Sequence, residues 1–80
     1  MQRIPVKSSD LASVGDDEHT QTLEVEFKDK SIYQYTRVPK YVYLELISAN
    51  SKGEYFSRYI RDNRLYGCTR IFPTVKWRRF

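Results

Sequence analysis

The sequence predicts an α+β domain: a small antiparallel sheet of three to four strands, with a central hairpin at about 22–37, packed against two helices at about 39–49 and 52–63. Three observations carry this. Leu23, Val25 and Phe27 alternate with Thr22, Glu24 and Glu26, the period of a half-buried strand. Val42, Leu46 and Ala49 recur at helical spacing behind Pro39, with Tyr43 and Ile47 beside them. Ser51 stands three residues before Glu54, the pattern of a capping box that opens a second helix.

Taken in order, residues 4–9 read as a short edge strand interrupted by Pro5, and Ser8, Ser9 and Asp10 as a turn. Residues 11–14 read as a second short strand ending at Gly15. Asp16, Asp17, Glu18 and His19 then form a polar turn. They lack the alternating ligands and central glycine of a calcium loop, so a solvated loop is the expectation.

The hairpin follows, and its register is open. A two-residue turn at Asp29 and Lys30 pairs Phe27 with Ile32 and turns Tyr33 and Tyr35 away from the core. A three-residue turn with a bulge, over 28–30, pairs Val25 with Tyr33 and Leu23 with Tyr35 and brings both tyrosines to the core face. One residue of slip reverses every side chain, and neither turn carries the glycine that would mark it.

Pro39 suits the first position of the next helix, because its missing N–H would have no partner there. Lys40, Glu45 and Asn50 fall on the water-facing side. The second helix, to about Asn63, has an apolar stripe of Tyr55, Phe56, Tyr59 and Ile60, with Arg58, Arg61 and Arg64 in steps of three along one flank. Beyond it, Ile71, Phe72, Val75 and Trp77 lie around Gly67 and Pro73. Part of this end suits an added strand and the rest a tail. The domain expectation is therefore 1–66, with 67–80 as a basic aromatic extension.

Composition narrows the function. Eighty residues make one domain with a thin core. The single cysteine, Cys68, excludes an internal disulfide, and no apolar run approaches the roughly 18 residues of a membrane span. The opening residues lack the apolar stretch of a signal peptide. A cytoplasmic protein, bacterial or phage, is the expectation.

Catalysis finds little support. His19 and Cys68 fall in different predicted elements, and nucleophilic or acid–base work needs such groups side by side. One His and one Cys are too few for zinc, and Gly15, Gly53 and Gly67 are isolated rather than forming a phosphate loop. The expectation is no enzyme, no metal and no cofactor.

The charge is distributed unevenly. The net charge is +4, yet residues 58–80 hold seven of the fourteen Lys/Arg and one of the ten acids. An anionic partner for this end follows as one expectation, an ordinary solvated helix face plus a basic tail as the other.

The ordered string of Val6, Lys7, Ser8 and Ser9, then Val14 and Gly15, LEVEF (23–27), IYQYTRVP (32–39) and VYLELISANSKGEYFSRYIR (42–61) resembles the KTSC domain family. That family is named for its place at the C-terminus of some lysyl-tRNA synthetases and also occurs as a free-standing small protein. The resemblance covers about 6–66 and favours the bulged hairpin register. It implies no established activity, and RNA binding is a suggestion that comes with the synthetase association.

Two functions are carried forward. The first is RNA or single-stranded nucleic-acid binding through Arg58, Arg61, Arg64, Arg70, Lys76, Trp77, Arg78 and Arg79, combining phosphate contacts with stacking. The second is a protein-interaction module that docks on a host factor, with Trp77 and Phe80 as anchors. A small-ligand site is a weaker third.

Overall fold

The structure, a computed structural model, describes residues 2–73 of the chain. Five strands form one antiparallel sheet in the order β1-β2-β3-β4-β5. They are β1 (Ile4–Pro5), β2 (Leu11–Asp17), β3 (Thr22–Phe27), β4 (Ile32–Thr36) and β5 (Gly67–Phe72). Between β4 and β5 lie α1 (Lys40–Ser48) and α2 (Lys52–Phe56), the latter running on into a π-helical turn, Ser57–Arg61. The α+β class is as predicted, with one strand more than the three to four expected.

The central hairpin takes the bulged register. Leu23 pairs with Tyr35 and Val25 with Tyr33. Phe27 N–H donates to the Ser31 carbonyl at 2.9 Å, and Lys30 N–H donates back to the Phe27 carbonyl at 2.9 Å. The turn needs a left-handed residue, and Lys30 supplies it at φ 77° without a glycine. Asp29 holds the turn closed: its Oδ1 accepts from Ser31 N–H at 2.9 Å and from Ser31 Oγ–H at 2.6 Å. Those bonds hold the Asp29 carboxyl below its ordinary range.

Strand β2 corrects the reading of 16–19 as a turn. The strand runs on through Gly15, with Asp16 opposite Leu23 and Asp17 opposite Thr22. The turn starts later, where Asp17 Oδ1 accepts from His19 N–H at 3.0 Å. A register shift between Leu11 and Ser13 lets Leu11 and Val14, three apart, both face the core.

The core joins this sheet face to the helices. Leu11, Val14, Leu23, Val25 and Tyr35 meet Val38, Val42, Leu46, Phe56 and Ile60. Phe56 sits at the centre, edge-on to Phe27 at 5.4 Å and to Tyr35 at 5.5 Å. Such edge-to-face pairs suit the ring quadrupoles.

Helix boundaries shift slightly. Pro39 is the residue before α1, not its first, with Val42 N–H on its carbonyl at 3.0 Å. Ser51 caps α2 as predicted, its Oγ accepting from Glu54 N–H at 3.3 Å, while the Glu54 carboxylate turns to Arg58. The second helix ends at Arg61 rather than near Asn63, and Tyr59, placed on its apolar stripe by spacing, is half exposed.

The other sheet face is polar and carries the N-terminal segment. Arg3 Nε–H donates to Ser13 Oγ at 2.8 Å, and its guanidinium pairs with Glu24 and reaches Glu26 at 3.8 Å. Gln34 donates to Glu24 at 2.7 Å. Glu24 is thereby buried on a face that would otherwise be wet. Gly15 makes this possible, because a Cβ there would lie 2.5 Å from the Gln2 carbonyl oxygen.

Candidate functional site

A groove of about 610 Å³ opens on the helix-side face of the sheet. Its floor is aromatic: Phe27, Tyr33 and Tyr35 from β3 and β4. The register puts them there, since Tyr33 and Tyr35 project to the same face as Val25 and Leu23. Phe27 and Tyr33 meet edge-on at 5.7 Å. Tyr35 is buried and Tyr33 half-buried, so Tyr33 is the ring with surface to offer.

One end of the groove is the hairpin turn, with Lys28, Asp29 and Ser31. Another wall is the turn before β2, with Ser9 and Asp10. Ser8 Oγ shapes that wall by accepting from the N–H groups of Asp10 and Leu11, both at 3.2 Å. The Asp10 carbonyl accepts from Lys28 N–H at 2.9 Å and ties the two walls together. Gly53 lets the first turn of α2 close on Asp10, where a Cβ would lie 3.1 Å from Oδ2.

Arg61 and Cys68 complete the site. Arg61 lies over the Phe56 ring, 5.3 Å from its centroid, and makes no ion pair among the described residues. Cys68 faces Tyr35 across the β4–β5 ladder. Burial, then a side-chain hydrogen bond with Cys68, pushes the Tyr35 hydroxyl well above its ordinary range, so it stays protonated.

The predicted arginines divide. Arg61 enters the groove, and Arg70 pairs with Tyr33 in the next strand on the same face. Arg58 lies in a separate shallow cleft with Tyr55 and Tyr59, its guanidinium on Glu54 at 3.2 Å. Arg64 is exposed beyond the helix. The π turn changes the angular step between residues, so three arginines at intervals of three do not form one row. Lys76, Trp77, Arg78, Arg79 and Phe80 lie outside the described residues.

A second ionic cluster sits at the start of α1. Lys40 Nζ lies 2.8 Å from Glu18 and 3.6 Å from Asp16. The Asp16 carboxylate is buried with no hydrogen bond among the described residues. Desolvation raises its pKa, with Lys40 opposing. Lys40 in turn holds the exposed Glu18 below its ordinary range.

His19 and Cys68 stand on different elements, as predicted, and no three metal-ligating side chains converge among the described residues. No helix is long and apolar enough to cross a membrane among the described residues.

A five-stranded antiparallel meander with two short helices before its last strand is an α+β domain, and comparison with known proteins says which family it belongs to. The family model described as the KTSC domain matches residues 7–66, and the chain belongs to that family. A crystal structure of a KTSC domain protein from Yersinia pestis matches with a TM-score of 0.83 and 37% identity, over 88% of this chain and 96% of that one. An uncharacterized protein of Stutzerimonas stutzeri is 41% identical over 58 residues, which is 72% of this chain and 82% of the relative. A lysine–tRNA ligase of a Nostoc species is 49% identical over 47 residues, 59% of this chain but only 8% of the ligase.

The sequence reading missed the groove. Its residues come from four separate stretches; of them the sequence singles out only Arg61 for binding, while the paired tyrosines are expected to pack.

Proposed function

We propose that this domain is a non-enzymatic binding module that takes single-stranded nucleic acid, RNA first, in the groove. The observation that carries the reading is Arg61: a guanidinium without an acidic partner among the described residues, set at the edge of an aromatic floor. Phosphate contact and base stacking are the two parts such binding requires. Lys28 and Arg70 add positive charge at either side of Tyr33. Relatives similar to this chain over 47 residues include proteins named lysine–tRNA ligases, which favours RNA over DNA. The exposed free thiol of Cys68 suits a reducing, cytoplasmic setting.

Fluorescence anisotropy with a labelled single-stranded RNA across potassium chloride concentrations tests this. Two to three neutralised phosphates give a log–log slope of about −1.4 to −2. Arg61→Ala should weaken binding and flatten the slope by about 0.7. Arg58→Ala, which removes a guanidinium already paired with Glu54, should change affinity less than twofold. Absence of binding at low salt, or equal losses from the two variants, refutes the reading.

The protein-docking alternative rests on the outer helix surface, where Tyr59 is 50% exposed beside Arg58 and Tyr41 is 62% exposed. A stoichiometric protein partner that survives nuclease treatment in a pull-down would favour it.

A further inference from the structure

Not every group that lines the groove is available to a ligand. Asp29 is engaged, because Oδ1 takes two bonds from Ser31. Tyr35 is buried, opposite Cys68 in the neighbouring strand. The Asp10 carboxylate makes no hydrogen bond and no ion pair among the described residues; its Oδ2 lies towards Gly53, and its backbone N–H donates to Ser8 Oγ while its carbonyl accepts from Lys28 N–H. Asp10, Lys28 and Arg61 have side chains without a hydrogen bond or ion pair among the described residues, Arg61 lying over the Phe56 ring, while Asp29 keeps its Oδ2 free. They surround an aromatic floor in a groove of about 610 Å³, and ligand pockets typically run about 300–1,000 Å³.

We propose that this groove selects guanine, with the Asp10 carboxylate reading the base and Arg61 and Lys28 holding the phosphate. This rests on the nucleic-acid reading above and adds the base preference to it. Guanine alone carries two adjacent donors, N1–H and the 2-amino group, on its pairing edge. A carboxylate answers them with two parallel acceptors. Adenine, cytosine and uracil each set an acceptor next to a donor there, and that acceptor would meet a carboxylate oxygen lone pair to lone pair. Recognition of single strands commonly uses the pairing edge in this way, with the base stacked on a ring; Tyr33 is that ring. The lining holds two acids, Asp10 and Asp29, and two bases, Lys28 and Arg61; Asp10 costs some phosphate affinity and returns discrimination. A good bidentate base contact is worth about 5- to 150-fold in selectivity.

Titration of the isotope-labelled full chain with GMP, AMP, CMP and UMP, followed by amide NMR shifts, tests the assignment. GMP should bind at least about fivefold tighter than the other three, with shifts centred on Ser9, Asp10, Tyr33 and Arg61. Asp10→Asn keeps the side-chain shape but replaces one acceptor by a donor. It should bring the four nucleotides within about twofold of one another and leave the melting temperature unchanged. Arg61→Ala should weaken all four alike. Equal affinities in the unmodified protein, a guanine preference that persists in Asp10→Asn, or shifts confined to residues outside the groove overturn the proposal. If the four bind equally but still need Arg61, base selection falls and RNA binding stands. If neither nucleotides nor RNA bind, both fall.

Discussion

Gly15→Ala is a test in which two effects oppose each other in sign. Glycine inside a strand is ordinarily a weakness, and alanine in its place should stabilise by about 0.5–1 kcal/mol. At this position the added methyl would lie 2.5 Å from the Gln2 carbonyl oxygen and 3.0 Å from Arg3 Cγ, nearly an ångström inside contact distance. The neighbour at 2.5 Å is backbone, so the N-terminal segment must lift. Arg3 then loses Ser13, Glu24 and Glu26 together. Hydrogen bonds to charged groups contribute about 1.5–3 kcal/mol each, but water reaches Glu24 as the segment leaves and returns part of that. A net loss of about 1–3 kcal/mol follows, or a Tm fall of about 5–20 °C for a domain of this size. Arg3→Ala should cost a similar amount. Both changes disable the same set of contacts, so the double variant should lose little more than the worse single one. Thermal and urea denaturation of the four proteins gives the cycle. A Gly15→Ala protein that melts at or above the unmodified one, or losses that simply add, would refute the close seating of the N-terminal segment on the sheet.

Two further outcomes follow from the core and from Asp16. Phe56→Ala removes the ring against which Phe27 and Tyr35 pack. Its cost of about 3–5 kcal/mol is a large share of the roughly 4–12 kcal/mol that 80 residues sustain, so circular dichroism should show a largely unfolded chain at 37 °C, while Phe56→Leu stays folded. Asp16 has its folded pKa raised above the ordinary 3.8, burial first among the causes. The folded state therefore binds this proton more readily than the unfolded chain. The stabilisation is fully present below about pH 3.8 and is lost as pH rises through the folded value. Asp16→Asn mimics the protonated form and should raise the urea midpoint at pH 7, with the difference closing towards pH 4. A midpoint that falls at pH 7 would show that the pairing with Lys40 outweighs desolvation.

What the sequence made legible was local. The alternation at 22–27, the cap at Ser51 and the stripe of Val42 and Leu46 each encode one element in neighbouring residues, and each is found where spacing placed it. The hairpin register was not legible from the turn, because Lys30 adopts φ 77° where a glycine was the only signal to look for. Strand β5 was expected only as an added strand somewhere in 67–80, without bounds, for another reason. All six of its residues are exposed, so neither face imposes an apolar period. Asp16 misled because acids suggest turns; here pairing with β3 carries the strand past Gly15, and Lys40 offsets part of the burial. The site depended on long-range facts. Arg61 meets Cys68, Tyr35 and Asp10 only through the sheet and the π turn, and no spacing along the chain connects them.

Each strand of the sheet lies beside the strand next to it in sequence. Assembly therefore needs no crossover within the sheet, and its strand pairings close comparatively short loops, apart from the helical excursion between β4 and β5. Topology of that kind favours fast folding. It also places the first and last strands at opposite edges, with β2 to β4 shielded between them. Additional chain can be joined before β1 or after β5 without passing through the core, a geometry that lets the same fold serve alone or as an appended module.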